Sequence, residues 1–444
     1  MKRLLTAAVL ALCAAPAIAQ DKAPRTLFTH VRIFDGVHEA LLEDANLLVE
    51  GHLIARISTD EIPAEGATVI DGGGRTLMPG LIDMHAHLMH TELPYDVLLE
   101  ADLIYIAIVQ GQAAERMLMR GFTSFRDVGG PTFGLKRAID EGRIAGPRIW
   151  PSGAMLSQTS GHGDYRSRAH DLPGLPGREP HFTESWGWMA IADGRPAVLR
   201  ATREQLMKGA SQIKMMAGGG VASNYDPLDV VQYTEDEMKA AVEAASAWKT
   251  YVAVHAYTPE AIRQAIRAGV KSIEHAQLID EETVRMAVEA DVWLSMQPFL
   301  DDEDAIPFPE GSENRAKLLQ MTRGTDAAYE LARKHGARIA WGTDVQFDSG
   351  LAARQGKQLA KMTRWFTPFE VLRMATSGNA ALLALSGPRS PYREGPVGVI
   401  EEGAYADLLL VDGDPLATID LIAEPERSFD LIMKDGVIHK NALE

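Results

Sequence analysis

The sequence predicts an α/β protein, a (β/α)8 TIM barrel joined to a small β-sandwich domain formed from both termini. Three observations lead there. The middle of the chain alternates strand-like runs with helical patterns, as a parallel sheet with helical crossovers requires. Both ends are instead rich in β-type runs and turn residues. The length, 444 residues, exceeds one small core and suits a large barrel plus a smaller domain.

Eight barrel strands are expected, over 80–85, 123–128, 148–152, 212–216, 251–255, 272–275, 292–297 and 339–343. Helical patterns at 236–248 and 259–268 lie between them. Such units fit a closed barrel, with an open doubly wound sheet as the rival. At the N-terminal side, 26–34, 46–49 and 53–57 are β-rich, and Asp71-Gly72-Gly73-Gly74 is a turn. At the C-terminal side, 406–411 reads as a strand, Asp412-Gly413-Asp414-Pro415 as a turn, and 429–438 as a hairpin around Asp435-Gly436. A composite β domain is therefore expected from 20–78 and 388–444, with the barrel over 79–387. Two connections are unusually long. One, 157–196, is rich in Gly, Pro, His and Trp; the other, 299–313, is acidic. Each follows a strand, so both are expected on the C-terminal barrel face as lids or substrate walls.

The first 19 residues read as a signal peptide. Lys2 and Arg3 precede an apolar run over 4–15, and Ala17-Ile18-Ala19 is a cleavage site. The run is too short to span a bilayer. Leu12 before Cys13 is not the small residue a lipoprotein needs. A periplasmic or secreted location is expected. Cys13 is the only cysteine, so the mature chain has no disulfide, Cys ligand or Cys nucleophile. Net charge is −17, and two units lower once Lys2 and Arg3 are removed. Such a surface repels nucleic acid and anionic membranes, so neither is expected as a partner. No G-x-S-x-G is present, which argues against a serine hydrolase.

The chemistry gathers at predicted strand ends. His85-Ala86-His87 closes the first strand, where alternate residues face the same way. Two imidazoles there suit zinc, iron or nickel. His255 and His275 end two further strands; singly, each is equally well a structural histidine. Asp344 follows 339–343. A carboxylate there is costly unless paired or metal-bound, or it caps the next helix. Lys214 sits within an apolar strand. It either snorkels to the rim or reacts with carbon dioxide to form a carbamate ligand, which needs the neutral amine that desolvation favours. Arg126 and Asp127 read as a mutual ion pair. The acidic run 301–304 is read as a solvated face or a seat for a cationic side chain. Trp186 and Trp188 stack on a substrate or anchor their loop. Arg166 and Arg168 are candidates for meeting a substrate carboxylate.

Together with 79–87, Gly121-Phe122-Thr123-Ser124-Phe125-Arg126-Asp127, Gly161-His162-Gly163-Asp164, Val254-His255-Ala256-Tyr257, 272–275 and Thr367-Pro368-Phe369-Glu370, this set resembles the amidohydrolase superfamily. Within it the chain is similar to the imidazolonepropionase-like exported dipeptidases and carboxypeptidases, a branch of Xaa-Pro and Xaa-Arg/Lys dipeptidases and ochratoxin-degrading amidohydrolases. The resemblance covers essentially the whole mature chain, and Lys214 separates it from the mononuclear deaminases. It implies two divalent ions, expected to be zinc. One is held by His85, His87 and Asp344, the other by His255 and His275, with carboxylated Lys214 and a hydroxide between them. It implies hydroxide attack on an amide or peptide bond to a C-terminal amino acid, in a dipeptide, an N-acyl amino acid or an ochratoxin-like amide. Asp344 acts as general base and then acid. His162 faces the substrate, and Tyr257 hydrogen-bonds the reacting carbonyl. Gly219 and Gly220 offer N–H groups to a carboxylate, unless they serve a turn alone. A homo-oligomer is implied. Lactone or cyclic-amide hydrolysis on the same scaffold stays open as the alternative. A non-catalytic assembly protein fits less well, because all six ligand positions are retained.

Overall fold

Alternation of apolar and polar residues along short strands decides the architecture. The computed structural model describes residues 23–166, 180–223 and 225–443. The expected signal peptide, Cys13 and Arg168 lie outside them. Eight parallel strands form the barrel wall: Leu81–Ala86, Phe122–Asp127, Arg148–Pro151, Ile213–Met216, Val252–Ala256, Ser272–His275, Trp293–Met296 and Ile339–Trp341. Val252 and Val254 turn outward to the core shared with the helices. Tyr251 and Ala253 belong to a second cluster with Met84, Trp293 and Ala340. The period of two thus sends alternate side chains to two different cores.

The third position differs from the expected 148–152. Arg148–Pro151 pairs with the second strand, and then a separate strand, Met155–Ser157, pairs with the fourth through Leu156 and Met215. Met189–Ile191 adds to that edge. The wall is completed here by hydrogen bonds: Gln212 Nε2 donates to Asp127 O at 3.0 Å and Trp150 O at 2.9 Å.

The eighth strand returns to the first by similar means. Asp344 N–H donates to His85 O at 2.7 Å. Asn379 Nδ2 donates to Ile82 O at 2.7 Å and Trp341 O at 2.8 Å. Thr343 Oγ1 donates to Asp83 at 2.6 Å. Gly342 permits this approach, since a Cβ there would lie 2.4 Å from His85 N.

The helices obey ordinary end signals. Pro259–Ala268 starts with Pro at its first turn, buries Ala261, Ile262, Ala265 and Ile266, and stops at Gly269 with φ 96°. Glu235–Ala247 opens with a Thr234/Glu237 capping box. Among the described residues no helix is long and apolar enough to cross a membrane.

Strands from both chain ends form one eight-stranded ladder. Arg25–Ile33 takes Leu42–Glu50 on one edge; on the other it takes Thr68–Asp71 first and Thr76–Pro79 beyond. Thr76–Pro79 continues to Leu408–Val411, and from there the ladder runs to Phe429–Lys434 and Val437–Asn441. Serving two neighbours on one edge lets the ladder fold over a core of Phe28, Val31, Leu47, Leu77, Leu410 and Leu431. The result is the expected barrel with a β-rich domain.

Candidate metal centre

The chemistry-bearing residues lie in the barrel strands or just past their C-terminal ends, so barrel closure brings them together at one face. His85 and His87 are buried, with ring centroids 5.2 Å apart. Asp344 Oδ1 lies 3.5 Å from His85 Nε2 and 3.4 Å from His87 Nε2. Among the described residues these three form a group whose ligand atoms all lie within 4.8 Å of one another. His275 stands 4.8 Å from His85 and 4.5 Å from His255, between centroids. Lys214 is 1 % exposed, which excludes snorkelling. Its charge acts on all four histidines and on Asp344. Asp344 caps no helix; Asp348 caps the next one. His275 and Asp344 have φ of 83° and 51°. Such left-handed backbone costs about 1–3 kcal/mol per residue and is characteristic of functional sites.

A second layer sets the rings. His85 Nδ1 donates to Glu274 Oε2 at 2.9 Å and His87 Nδ1 to Gly129 O at 3.2 Å. His275 Nδ1 donates to Gln297 Oε1 at 2.7 Å and His255 Nε2 to Gly219 O at 3.0 Å. A carboxylate or a carbonyl can only accept. The Gln297 amide is oriented by its own donation to Ser295 O at 3.1 Å. Each imidazole therefore keeps its second nitrogen unprotonated. Burial, above all, and then nearby positive groups push all four rings well below the usual histidine range. His85 Nε2 is buried without a hydrogen-bond partner. Four neutral imidazoles and a carboxylate are the donor set that a zinc-like ion accepts. Burial also raises the Asp344 carboxyl above its ordinary range, against the charge of Lys214 and the bond from Gln346.

Arg126 and Asp127 do not pair. Successive strand residues point to opposite faces, so Arg126 enters the barrel and Asp127 does not. Arg126 is wholly buried and donates to Glu274 Oε2 at 2.6 Å, Met84 O at 2.7 Å and Ser272 Oγ at 3.2 Å. Asp127 accepts from Thr132 Oγ1 at 3.0 Å. Glu274 thus links a buried guanidinium to His85. Sequence reasoning missed it, and it missed Gln297 and Asp226.

His162 and Tyr257 both line the cleft beside Asp344. His162 stacks on His255 at 4.0 Å. Its Nδ1 donates to Ser223 Oγ at 2.8 Å and lies 3.6 Å from Asp226 Oδ2, which leaves Nε2 for the cleft. Burial keeps the Tyr257 phenol protonated. The expectation for Gly219 and Gly220 needs correction. Gly219 N–H donates to Val230 O at 3.2 Å and Gly220 N–H to Asp226 Oδ2 at 2.8 Å. Neither N–H is open to a substrate carboxylate, because the loop spends both on its own closure. Gly220 matters for another reason: a Cβ there would sit 1.8 Å from His162 Nδ1. Gly220→Ala is expected to displace His162 and lower kcat/KM about tenfold to a hundredfold with metal content unchanged, by analogy with other misplaced polar groups. Steady-state kinetics beside metal analysis checks this.

Other expectations resolve plainly. Arg166 pairs with Asp164 at 2.6 Å. Trp188 is buried and stacks on Tyr165 at 4.7 Å, so it anchors its loop. The acidic run is a paired face rather than a free seat for a cation, with Asp301 and Glu303 exposed and Asp302 and Asp304 half-buried. Asp301 pairs with Arg315 at 2.7 Å, Asp302 with Lys361 at 2.7 Å, and Glu303 with Arg354 at 3.0 Å.

The amidohydrolase family model matches residues 76–439. The chain belongs to the amidohydrolase family. It is 32% identical to the ochratoxinase of Aspergillus niger over 410 residues, 90% of this chain and 83% of that protein. Among solved structures it is similar to an amidohydrolase at 35% identity and TM-score 0.86, covering 95% of this chain and all (100%) of the other. A prolidase crystallised with N-methylphosphonate-L-proline gives 34% identity and TM-score 0.86, with 94% and 100% coverage.

Proposed function

We propose that this chain is an exported two-metal amidohydrolase that cleaves the amide bond to a C-terminal amino acid, in a dipeptide, an N-acyl amino acid or an ochratoxin-like amide. The observation that carries the reading is the shared orientation of four imidazoles. Each gives one N–H to an oxygen acceptor and keeps a second, unprotonated nitrogen, which for His85 and His87 faces Asp344. His85, His87 and Asp344 would hold one ion, and His255 and His275 the other. Lys214, carboxylated by carbon dioxide, would serve both. Its burial favours the neutral amine that carboxylation needs. When bound, such ions polarise a carbonyl and make water acidic enough to ionise near neutral pH.

The chain's own groups then divide the work. Asp344 takes the proton of the attacking water and delivers it to the leaving nitrogen. Gln346 Nε2, donating to Asp344 Oδ1 at 2.6 Å, fixes the carboxylate plane. The Tyr257 hydroxyl and His162 Nε2, both on the cleft, orient the reacting carbonyl. The likeness to an ochratoxinase and to a prolidase with a bound proline phosphonate supports amide and peptide substrates.

Two measurements test this together. Elemental analysis of the purified chain is expected to give two divalent ions per chain, with zinc foremost. Mass spectrometry of pooled dipeptides, N-acyl amino acids and ochratoxin A is expected to show release of a C-terminal amino acid. Removing the ions with a chelator abolishes that release, and zinc restores it. Cleavage that survives metal removal would overturn the proposal.

A further inference from the structure

Beside Asp344 opens a cleft. Phe299, Ile306, Leu318 and Met321 give it an apolar wall. Asp302 and Asp304 line it as well. Left free, two carboxylates at the edge of an apolar cleft would select a cationic group. They are not free. Lys361 Nζ reaches Asp302 at 2.7 Å and also pairs with Asp304. Arg354 pairs with Asp304 and, at 3.0 Å, with Glu303. The Asp304 side chain is only 7% exposed and that of Lys361 17%, so these pairs are partly withdrawn from water and hold more firmly than surface pairs. Burial works against ionisation of Asp304, yet Lys361 and Arg354 outweigh it and hold the carboxyl below its ordinary range. Two carboxylates facing the cleft are thus met by two cations behind them.

We propose that the cleft selects an amide whose group seated beside Phe299 and Met321 is large and apolar, and that Lys361 and Arg354 are specificity-determining residues that withhold Asp302 and Asp304 from cationic substrates. The inference rests on the amide-hydrolase reading of the adjoining centre. A cationic side chain gains a carboxylate here only by displacing Lys361 or Arg354. An anionic one meets Asp302 and Asp304 before it meets either cation. An apolar group loses water on entry and forfeits nothing.

The test is a matrix of dipeptides in which each position is in turn Phe, Leu, Lys, Glu or Gly, assayed with the metal-loaded full chain. At one position, Phe or Leu is expected to exceed Lys and Glu by about tenfold or more in kcat/KM. Lys361→Met frees Asp302 and leaves Asp304 held by Arg354 alone, and it is expected to raise the Lys-to-Phe ratio at that position by about tenfold. Asp304→Asn takes one carboxylate from the cleft, leaving Lys361 on Asp302 and Arg354 on Glu303, and moves the ratio towards Glu. Preference of the wild type for Lys or Glu overturns the inference, and so do ratios that neither variant changes. If no dipeptide, N-acyl amino acid or ochratoxin A is cleaved, the amide reading is what fails. Calorimetric binding of free phenylalanine against free lysine then decides the cleft separately: tighter binding of phenylalanine supports the inference, and equal or tighter binding of lysine overturns it.

Discussion

Asp344→Asn is expected to lower kcat by about 10²–10⁴-fold, the usual contribution of a positioned acid–base group, in a chain that still folds. The substitution keeps size and shape but removes the oxygen that takes a proton. Barrel closure is little disturbed, because the closing bond from position 344 to His85 O is made by the backbone N–H. The histidine orientations are also preserved, since the acceptors that set them are Glu274, Gly129, Gly219 and Gln297 rather than Asp344. Metal is expected to remain, held less tightly by an amide oxygen than by a carboxylate. Steady-state kinetics, elemental analysis and circular dichroism on one preparation separate the three effects. Turnover near that of the wild type in a metal-containing variant would mean that another group carries the proton.

The barrel was legible because its strands are apolar runs cut off by chemistry. Ser272–His275 and Pro259–Ala268 occur with the bounds read from the sequence, and the other barrel strands differ by one or two residues. The third strand was legible to within one residue, but the separate strand Met155–Ser157 that carries the wall on was not. The break after Pro151 comes from Gly153 at φ 73°, and from pairing with the fourth strand, which no local pattern encodes. The ligand candidates were legible for a related reason: a His, Lys or Asp closing an apolar run is costly without a purpose.

Partner choice was the part that did not show. Arg126 was paired with its neighbour Asp127, when strand alternation already sends adjacent residues to opposite faces. The signal for the true partner was available. Ser-Ile-Glu-His places Glu274 in a buried four-residue strand, and a carboxylate there needs an opposite charge at the same depth. Only the stagger of the closed barrel makes that charge Arg126. The same holds for the run 301–304, whose cations come from residues 315, 354 and 361. The glycines after the fourth strand serve the loop and not a substrate. Their N–H groups are spent within the loop, and Gly220 is there to make room for His162.

Glu274→Gln is expected to cost about 3–5 kcal/mol of stability, the penalty for leaving a buried charge unmatched, and to weaken metal binding about 10–100-fold, the range for outer-layer histidine partners. Both follow from one atom. Glu274 Oε2 accepts from Arg126 Nη2 at 2.6 Å and from His85 Nδ1 at 2.9 Å. Burial opposes the charge on Glu274, but Arg126 and Lys214 outweigh it and hold the carboxyl below its ordinary range. A glutamine offers one uncharged oxygen, and its amide N–H groups meet donors. Arg126 is then a wholly buried cation without its anion, and His85 Nδ1 has at best a neutral oxygen in place of the carboxylate that keeps Nε2 free. Pairing this change with Arg126→Met separates the two consequences. Removing the cation is expected to restore much of the stability, since a buried ion pair replaced by apolar groups is often neutral. Metal affinity is not expected to return, because His85 Nδ1 still lacks its carboxylate. Denaturant melts and competition with a chromophoric chelator read the two quantities independently. If the double variant recovered both, Glu274 would serve only to neutralise Arg126, and the orientation of His85 would have to come from elsewhere.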